Sequence, residues 1–248
     1  MKHSDVQTLL AHTTLPVAMV DVDAFERNID KAVAIARAHG KTIRVATKSV
    51  RHIGLLRRIM DRGGDTIQGW LCFTAEEAVW LARQGLTDLL VAYPTVQSAP
   101  IEMVARAIAD GHNIRLMVDS LAQMQSIEAQ AKKVAVKIPV VVDVDVSYRP
   151  VAAVHVGVRR SPLREPAELE ALLEAAGALP HVRICGWMAY EAQIAGIPDA
   201  SPVRKAFNPL KKWLKARSVP DVAARRAQTA ALFERCGVEV EVANGGGW

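Results

Sequence analysis

What this sequence has little of narrows its function before any motif is read. Long apolar runs are missing: none approaches the roughly 20 residues a helix needs to cross a bilayer, so no membrane partner is expected. The opening Met1-Lys2-His3-Ser4-Asp5 lacks the apolar core of a secretory leader. Cysteine occurs three times, at Cys72, Cys185 and Cys236, each alone in an apolar pattern. An odd number without paired spacing argues for reduced thiols and a cytoplasmic setting. The net charge of +5 is spread along the chain, with no basic run interleaved with aromatics, so nucleic acid is not an expected partner. No His or Cys cluster stands at metal-ligand spacing, no internal repeat or low-complexity tract is present, and no six-position glycine fingerprint for dinucleotides follows an early strand.

What remains is a chain of 248 residues, half of them apolar, long enough for one large domain spanning 1–248. Strand-like and helix-like segments alternate throughout. Val17–Asp21 is a short apolar run, and Ala24–His39 an amphipathic helix ended by Gly40. Strands are expected at Ile43–Thr47, Thr66–Phe73, Asp88–Ala92, Ile114–Val118, Ile138–Val146, Val182–Ala189 and Val238–Ala243. Between them lie helices at Ile53–Arg62, Ala75–Gln84 (N-cap Thr74), Ala99–Asp110, Leu121–Val134 (N-cap Ser120), Pro166–Ala176 and Val219–Cys236.

This βα rhythm predicts an α/β fold with a parallel sheet, a TIM-type (β/α)8 barrel. Seven strands are counted where closure wants eight. Either the Val17 run stands in for the eighth strand or the barrel is incomplete there. One connection breaks the rhythm. Glu191–Arg217 holds Gly196, Pro198, Pro202, Pro209 and a basic cluster, and reads as a long loop on the active-site face, either a lid or subunit contact or a solvated insertion.

Several residues could carry chemistry. Lys48 ends the first strand, on the face where barrel active sites form; partial desolvation there would favour a neutral amine able to form an imine. His52 follows at helical distance, either sharing that face or simply starting a helix. Asn244-Gly245-Gly246-Gly247 follows the last strand, and three glycines let backbone N–H groups converge on a phosphate; a flexible turn is the plainer reading. Asp143 and Asp145 share a strand face and suit a polar network inside the barrel better than a metal. His155, Arg159 and Arg160 lie beyond that strand, where arginine forks suit carboxylates and phosphates. Tyr190, at a strand end, could stack on a ring or donate its hydroxyl.

Four stretches together resemble the fold-type III pyridoxal-phosphate enzymes, the alanine-racemase-like barrels, and among these the D-threonine aldolase and D-serine dehydratase group. They are Leu15–Ile29, Arg44-Val-Ala-Thr-Lys-Ser49, Gly186-Trp-Met-Ala-Tyr-Glu-Ala-Gln193 and Val242-Ala-Asn-Gly-Gly-Gly247, in family order from about residue 15 to 247. The resemblance implies pyridoxal 5'-phosphate as cofactor, Lys48 as its Schiff-base and acid/base residue, and Tyr190, Asn244, Gly245, Gly246 and Gly247 as cofactor-binding. It implies a lyase, deaminase or aldolase, acting on a small D-amino acid. Unpaired edges on the first and seventh strands would invite association, with a homodimer as the expected assembly. His155 stands where the family often has the arginine that binds the substrate carboxylate, with Arg159 or Arg160 as compensation. Trp248 stands where the family's phosphate loop continues with threonine. The expectation is a barrel cut short of the family's C-terminal β domain, with a divalent metal only in longer relatives. A non-catalytic barrel that binds cofactor weakly or only packs against a partner is the alternative.

Overall fold

A computed structural model describes residues 3–151, 153–201, 203 and 205–246. Two compact units emerge, one running to Leu71 and the other starting at Cys72. Gly247 and Trp248 lie outside the described residues.

In the smaller unit, α1 (His3–Leu10) precedes α2 (Val22–Ala38), β1 (Ile43–Ala46), α3 (Ile53–Gly63) and β2 (Ile67–Cys72), whose last residue belongs to the larger unit. The α1 helix was not expected from the sequence. Asp21 starts α2 by accepting the Ala24 N–H at 3.0 Å, and the helix buries Ile29 and Val33. Arg62 on α3 forks onto Asp30 at 2.6 and 2.7 Å and reaches Glu26 at 2.7 Å, tying α3 to α2. β1 and β2 pair in parallel, but Ile43 faces Ile67 while Val45 faces Trp70, so β2 carries one extra residue. Gly69 lies within that step at φ +81°, a conformation that costs glycine nothing and a side chain a great deal. The Val17–Asp21 run forms no strand, and Val17, Met19 and Val20 are exposed. The expectation that it stands in for the eighth strand is therefore corrected: no described backbone pairs with it as a ladder, and an apolar run without a partner strand has nothing to extend against.

The larger unit continues with α4 (Ala75–Arg83), β3 (Leu89–Val91), α5 (Ser98–Ala109), β4 (Ile114–Val118), α6 (Leu121–Val134), β5 (Ile138–Asp143), α7 (Pro166–Ala176), β6 (Val182–Ala189), α8 (Ala192–Ala195), α9 (Asn208–Arg235) and β7 (Val242–Gly245). Its strands lie parallel in chain order, with Leu89 against Ile114, Leu116 against Val140, Ile138 against Val182 and Gly186 against Val242. Ile138, Val140, Val141 and Val142 are wholly buried, so β5 is covered on both faces, and each such side chain contributes about 1.5–3 kcal/mol by leaving water. Between Val140 and Val141 the partner strand advances from Ile184 to Gly186, leaving Cys185 as an extra residue. A methyl group on Gly186 would collide with the backbone of Val242, which explains a glycine in the middle of a buried strand.

Seven parallel strands alternating with helices give an α/β fold of the barrel type, without an eighth strand among the described residues. No described helix is long and apolar enough to cross a membrane.

Three boundaries differ from the sequence reading by three residues or more. β5 ends at Asp143, before Asp145. β7 begins at Val242 rather than Val238, because the 237–241 stretch only leads back to the sheet, the Glu241 N–H meeting the Cys185 carbonyl at 2.9 Å. The last helix begins at Asn208, not Val219, so the 191–217 connection is not structureless: it contains α8, a 3-10 turn at Lys205–Phe207 and the first third of α9. Proline misled the reading. Pro209 sits in the first turn, where its missing N–H costs nothing, and Pro220 is carried inside the helix.

Candidate functional site at the carboxyl ends of the strands

In the smaller unit β1 stops at Ala46, and Thr47–Ser49 form a single 3-10 turn. Thr47 is buried, its hydroxyl donating to the Leu71 carbonyl at 3.3 Å, and this pins the turn to the end of β2. The next residue, Lys48, is exposed. His52 takes the plainer of its two readings: its Nδ1 accepts the Leu55 N–H at 3.3 Å as the N-cap of α3.

In the larger unit the polar groups collect at the carboxyl ends of β4 to β7. Side chains on paired residues of a parallel sheet point to the same face. The pairs Asp143–Met188 and Met188–Asn244 therefore form one row, and Asp119, one residue past β4, stands level with Asp143 because Val118 pairs with Val142. Asp143 is 2% exposed and is gripped by Arg160, Nε to Oδ2 at 2.7 Å and Nη2 to Oδ1 at 3.1 Å. The Ser161 hydroxyl donates to the Asp143 carbonyl at 2.6 Å and holds the loop that carries Arg160 over the strand.

Arg160 is also flanked by aromatic faces, its Cζ 5.5 Å from the Tyr190 ring centre and 5.9 Å from that of Tyr93. Such placement is favourable for a guanidinium, more so when partly desolvated. Phe73 meets Tyr93 edge-on at 5.3 Å. Asp143, Val146, Val158, Arg160, Ser161 and Tyr190 line a small hollow here. Another hollow, over Asp145, Arg164 and Arg225, has room for about one water and sits among β5, α7 and α9.

Electrostatics separate the two strand-end aspartates. Burial pushes the Asp143 carboxyl above the usual carboxylate range, only partly opposed by the Arg160 hydrogen bonds, with Asp119 and Asp145 adding to the rise. Burial likewise raises Asp119. Burial acts on Asp145 too, but hydrogen bonds from Ser147 and the charges of Arg149 and Arg164 outweigh it and hold that carboxyl low. The pair thus forms the polar network expected, each carboxylate claimed by different arginines. No group of three or more His, Cys, Asp or Glu that could hold a metal ion occurs among the described residues.

Past β6, the Glu191 carboxylate accepts the Gly246 N–H at 2.7 Å and pairs with Arg226 of α9, which also donates to the Ala189 carbonyl at 2.9 Å. A methyl group on Gly245 would lie 2.6 Å from Arg226 Nη2, and one on Gly246 would lie 2.7 Å from the Tyr190 ring. A side chain at either position would have to displace Arg226 or Tyr190, so glycine fits here by close approach and not by an unusual φ.

Of the residues singled out from the sequence, the structure places Tyr190 beside both Arg160 and Gly246. Asn244 stands in the row of Asp143 and Met188, and its side chain donates to the Gly245 carbonyl at 2.9 Å. His155 turns inward to its own loop, Nε2 to the Val158 carbonyl at 3.2 Å, and Arg159 is exposed. Asp119, Tyr93, Glu191 and Arg226 had not been singled out. Arg226 had a signal available: it falls between Val222 and Thr229 at helical spacing, a charge on the buried face of α9.

The 3-hydroxy-D-aspartate aldolase of Paracoccus denitrificans (strain Pd 1222) is 27% identical over 206 residues, covering 83% of this chain and 48% of that protein. The fold is similar to that of D-threonine aldolase from Filomicrobium marinum, with TM-score 0.77, 21% identity and coverage of 95% of this chain and 57% of the other. It is also similar to D-threo-3-hydroxyaspartate dehydratase from Delftia sp. HT23, with TM-score 0.72, 20% identity and coverage of 95% and 56%. The chain thus spans about half the length of the relatives it matches. The alanine racemase N-terminal domain matches residues 20–242. From just before the cap of α2 to the first residue of β7, the chain belongs to the alanine racemase N-terminal domain family.

Proposed function

We propose that this chain is the barrel part of a pyridoxal-phosphate-dependent lyase acting on a D-amino acid, with Lys48 as the residue that attaches the cofactor. The observation that carries the reading is the gathering of a guanidinium, a phenol and a glycine backbone at the carboxyl ends of β5, β6 and β7. That is the end of the strands where barrels of this kind place their chemistry. Lys48 stands at the same end of β1. The names of the relatives, two aldolases and a dehydratase, all specify D-configured hydroxy amino acids, which favours a substrate of that class.

The residues present fit the cofactor. The Gly245-Gly246 backbone leaves no space for a methyl group, and the Gly246 N–H already serves an anion, the Glu191 carboxylate. When bound, pyridoxal phosphate supplies an electron sink for the pair released at Cα. The Lys48 amine would attach it and would move the proton at the substrate Cα. Arg160, oriented by the buried Asp143, would present a fixed positive charge to the pyridine ring or the substrate carboxylate, with Arg159 and His155 completing the substrate set. Tyr190 would cover one side of the ring, and the glycine backbone would orient the phosphate. Cleavage at Cα–Cβ would give glycine and an aldehyde, and loss of the β-hydroxyl would give a 2-oxo acid and ammonia.

The free thiols, two of them buried, support a reducing, cytoplasmic setting, and a homodimer is the assembly proposed. The decisive experiment is borohydride treatment of the chain after incubation with pyridoxal phosphate. Loss of a visible chromophore with mass added at Lys48 supports the reading. Absence of any label at Lys48 favours a non-catalytic barrel.

A further inference from the structure

The Glu191 carboxylate holds the place an incoming anion would take. One of its oxygens accepts both the Gly246 N–H, at 2.7 Å, and a hydrogen bond from Arg226 Nη2. That is the donor set a phosphate oxygen seeks: a backbone N–H in a glycine loop and an arginine fork. Three features mark the pairing as exchangeable. Arg226 is anchored independently by the Ala189 carbonyl at 2.9 Å, so its guanidinium keeps a fixed partner if Glu191 leaves. Its Nε is buried and, among the described residues, has no acceptor, so the fork is not saturated. Glu191 itself lies on the short connection between β6 and the four-residue α8, and its carboxylate caps no helix N–H, so the side chain can leave without undoing α8. The glycine backbone lies close against both side chains, Gly245 against Arg226 and Gly246 against Tyr190.

We infer that Arg226 and the Gly246 N–H form a binding site for a phosphate monoester whose resting occupant is the Glu191 carboxylate, so that Glu191 sets the affinity of the glycine loop for phosphate. A phosphate monoester carries close to two negative charges near neutral pH. It cannot share these donors with a carboxylate at hydrogen-bond distance, because the like charges repel. Binding therefore requires Glu191 to swing out, and Arg226 then transfers its hydrogen bond from carboxylate to phosphate. Removing the Glu191 charge should tighten phosphate binding, whereas removing the Arg226 charge should weaken it. A purely structural ion pair would move neither in that opposed way. The inference rests on the pyridoxal-phosphate reading for its ligand, but its first probe does not depend on Lys48.

The test is calorimetric titration of the 248-residue chain with inorganic phosphate, and with pyridoxal phosphate against pyridoxal, in wild type, Glu191→Gln, Arg226→Gln and Arg226→Lys. Thermal melts establish that each variant is folded. We expect Glu191→Gln to bind inorganic phosphate about tenfold more tightly and Arg226→Gln about tenfold more weakly, the size of one charge-assisted hydrogen bond, with Arg226→Lys between. The preference for pyridoxal phosphate over pyridoxal should change in the same directions. Equal phosphate affinity in wild type and Glu191→Gln, or no phosphate binding by any form, overturns the inference even if Arg226→Gln fails to fold. If borohydride labels Lys48 while these affinities stay level, the inference falls and the cofactor reading stands. If the affinities shift without any label at Lys48, the reverse holds.

Discussion

Two arginine-centred clusters occupy opposite ends of the same strands in the larger unit, and they are built differently. At the amino ends, Arg115 is 8% exposed and is enclosed by Asp88 and Glu241, and Glu241 also pairs with Arg183. Two arginines meet two carboxylates, so the charges cancel. At the carboxyl ends, Arg160 has one carboxylate, the deeply buried Asp143, and otherwise faces the rings of Tyr93 and Tyr190. Beside it, the Glu191–Arg226 pair lies on the glycine loop. The first cluster closes on itself and locks β3, β4, β6 and β7 in register. The second leaves π faces, a backbone N–H and a polar row directed at the end of the barrel where ligands enter. The same residue types make a clamp where they are enclosed by one another and a site where they lie beside ring faces and a glycine backbone.

The comparison breaks most visibly at Lys48, which stands at the carboxyl end of β1. Lys48→Ala should abolish borohydride-dependent labelling and all turnover while leaving the melting temperature unchanged, because the side chain is exposed. A label that persists in the variant would remove Lys48 from the mechanism.

Next comes a contrast between the two arginines. Arg115→Ala should cost about 1–3 kcal/mol in urea unfolding, since it removes a buried guanidinium and the hydrogen bonds it gives to the part-exposed Asp88 and Glu241, with cofactor affinity of the folded protein unchanged. Arg160→Lys keeps the charge beside Asp143 but loses the fork, and should cost only about 1 kcal/mol of stability while weakening cofactor or substrate binding. A large loss of stability from Arg160→Lys, with binding intact, would erase the distinction.

Acid titration sharpens the carboxyl-end cluster further. Asp145 is held below its ordinary value, so its contribution to stability is fully present above the unfolded value of about 3.9 and is lost as pH falls through the folded value. Asp143 has the opposite sign: burial raises it, so its contribution is present at low pH and lost as pH rises through the raised folded value. Asp145→Asn should therefore flatten the fall in stability below about pH 4, measured by denaturant unfolding at stepped pH. An acid limb as steep as that of the wild type would contradict the assignment.

The smallest expected effect concerns the edge. β7 has β6 as its one ladder partner among the described residues, and Ala243 on it is exposed. An exposed strand edge invites pairing with another chain, which a lysine discourages. Ala243→Lys should shift sedimentation toward the monomer by a few-fold in dissociation constant. An unchanged profile would mean that any association uses another surface.

Much of the fold was legible along the chain. The largely apolar runs at Ile114–Val118 and Val182–Ala189 are strands with the bounds read from the sequence, since strands covered on both faces are apolar over most of their length, here apart from Arg115 and Arg183 near the amino ends. Thr74 announces a helix start because capping needs only a few neighbouring residues. Local signals failed where tertiary packing overrode them, as at Pro220 inside α9 and in the Val17–Asp21 run that finds no strand to join.

The candidate site divides in the same way. Lys48, Tyr190, Asn244 and the glycines could be named from order and spacing, because each sits at the end of an apolar run where a parallel sheet turns outward. The sequence by itself thus determined the alternation of strands and helices and the family to which the chain is similar. Only the tertiary structure decided that Asp143 belongs to Arg160 and Asp145 to Arg149 and Arg164, that His155 turns to its own loop, and that Glu191 and Arg226 meet on the Gly246 backbone. The physical reason is range. Strand and helix periodicity arises within a few residues, whereas the partner of a charge is fixed by strand register and helix packing across separations such as the 35 residues between Glu191 and Arg226.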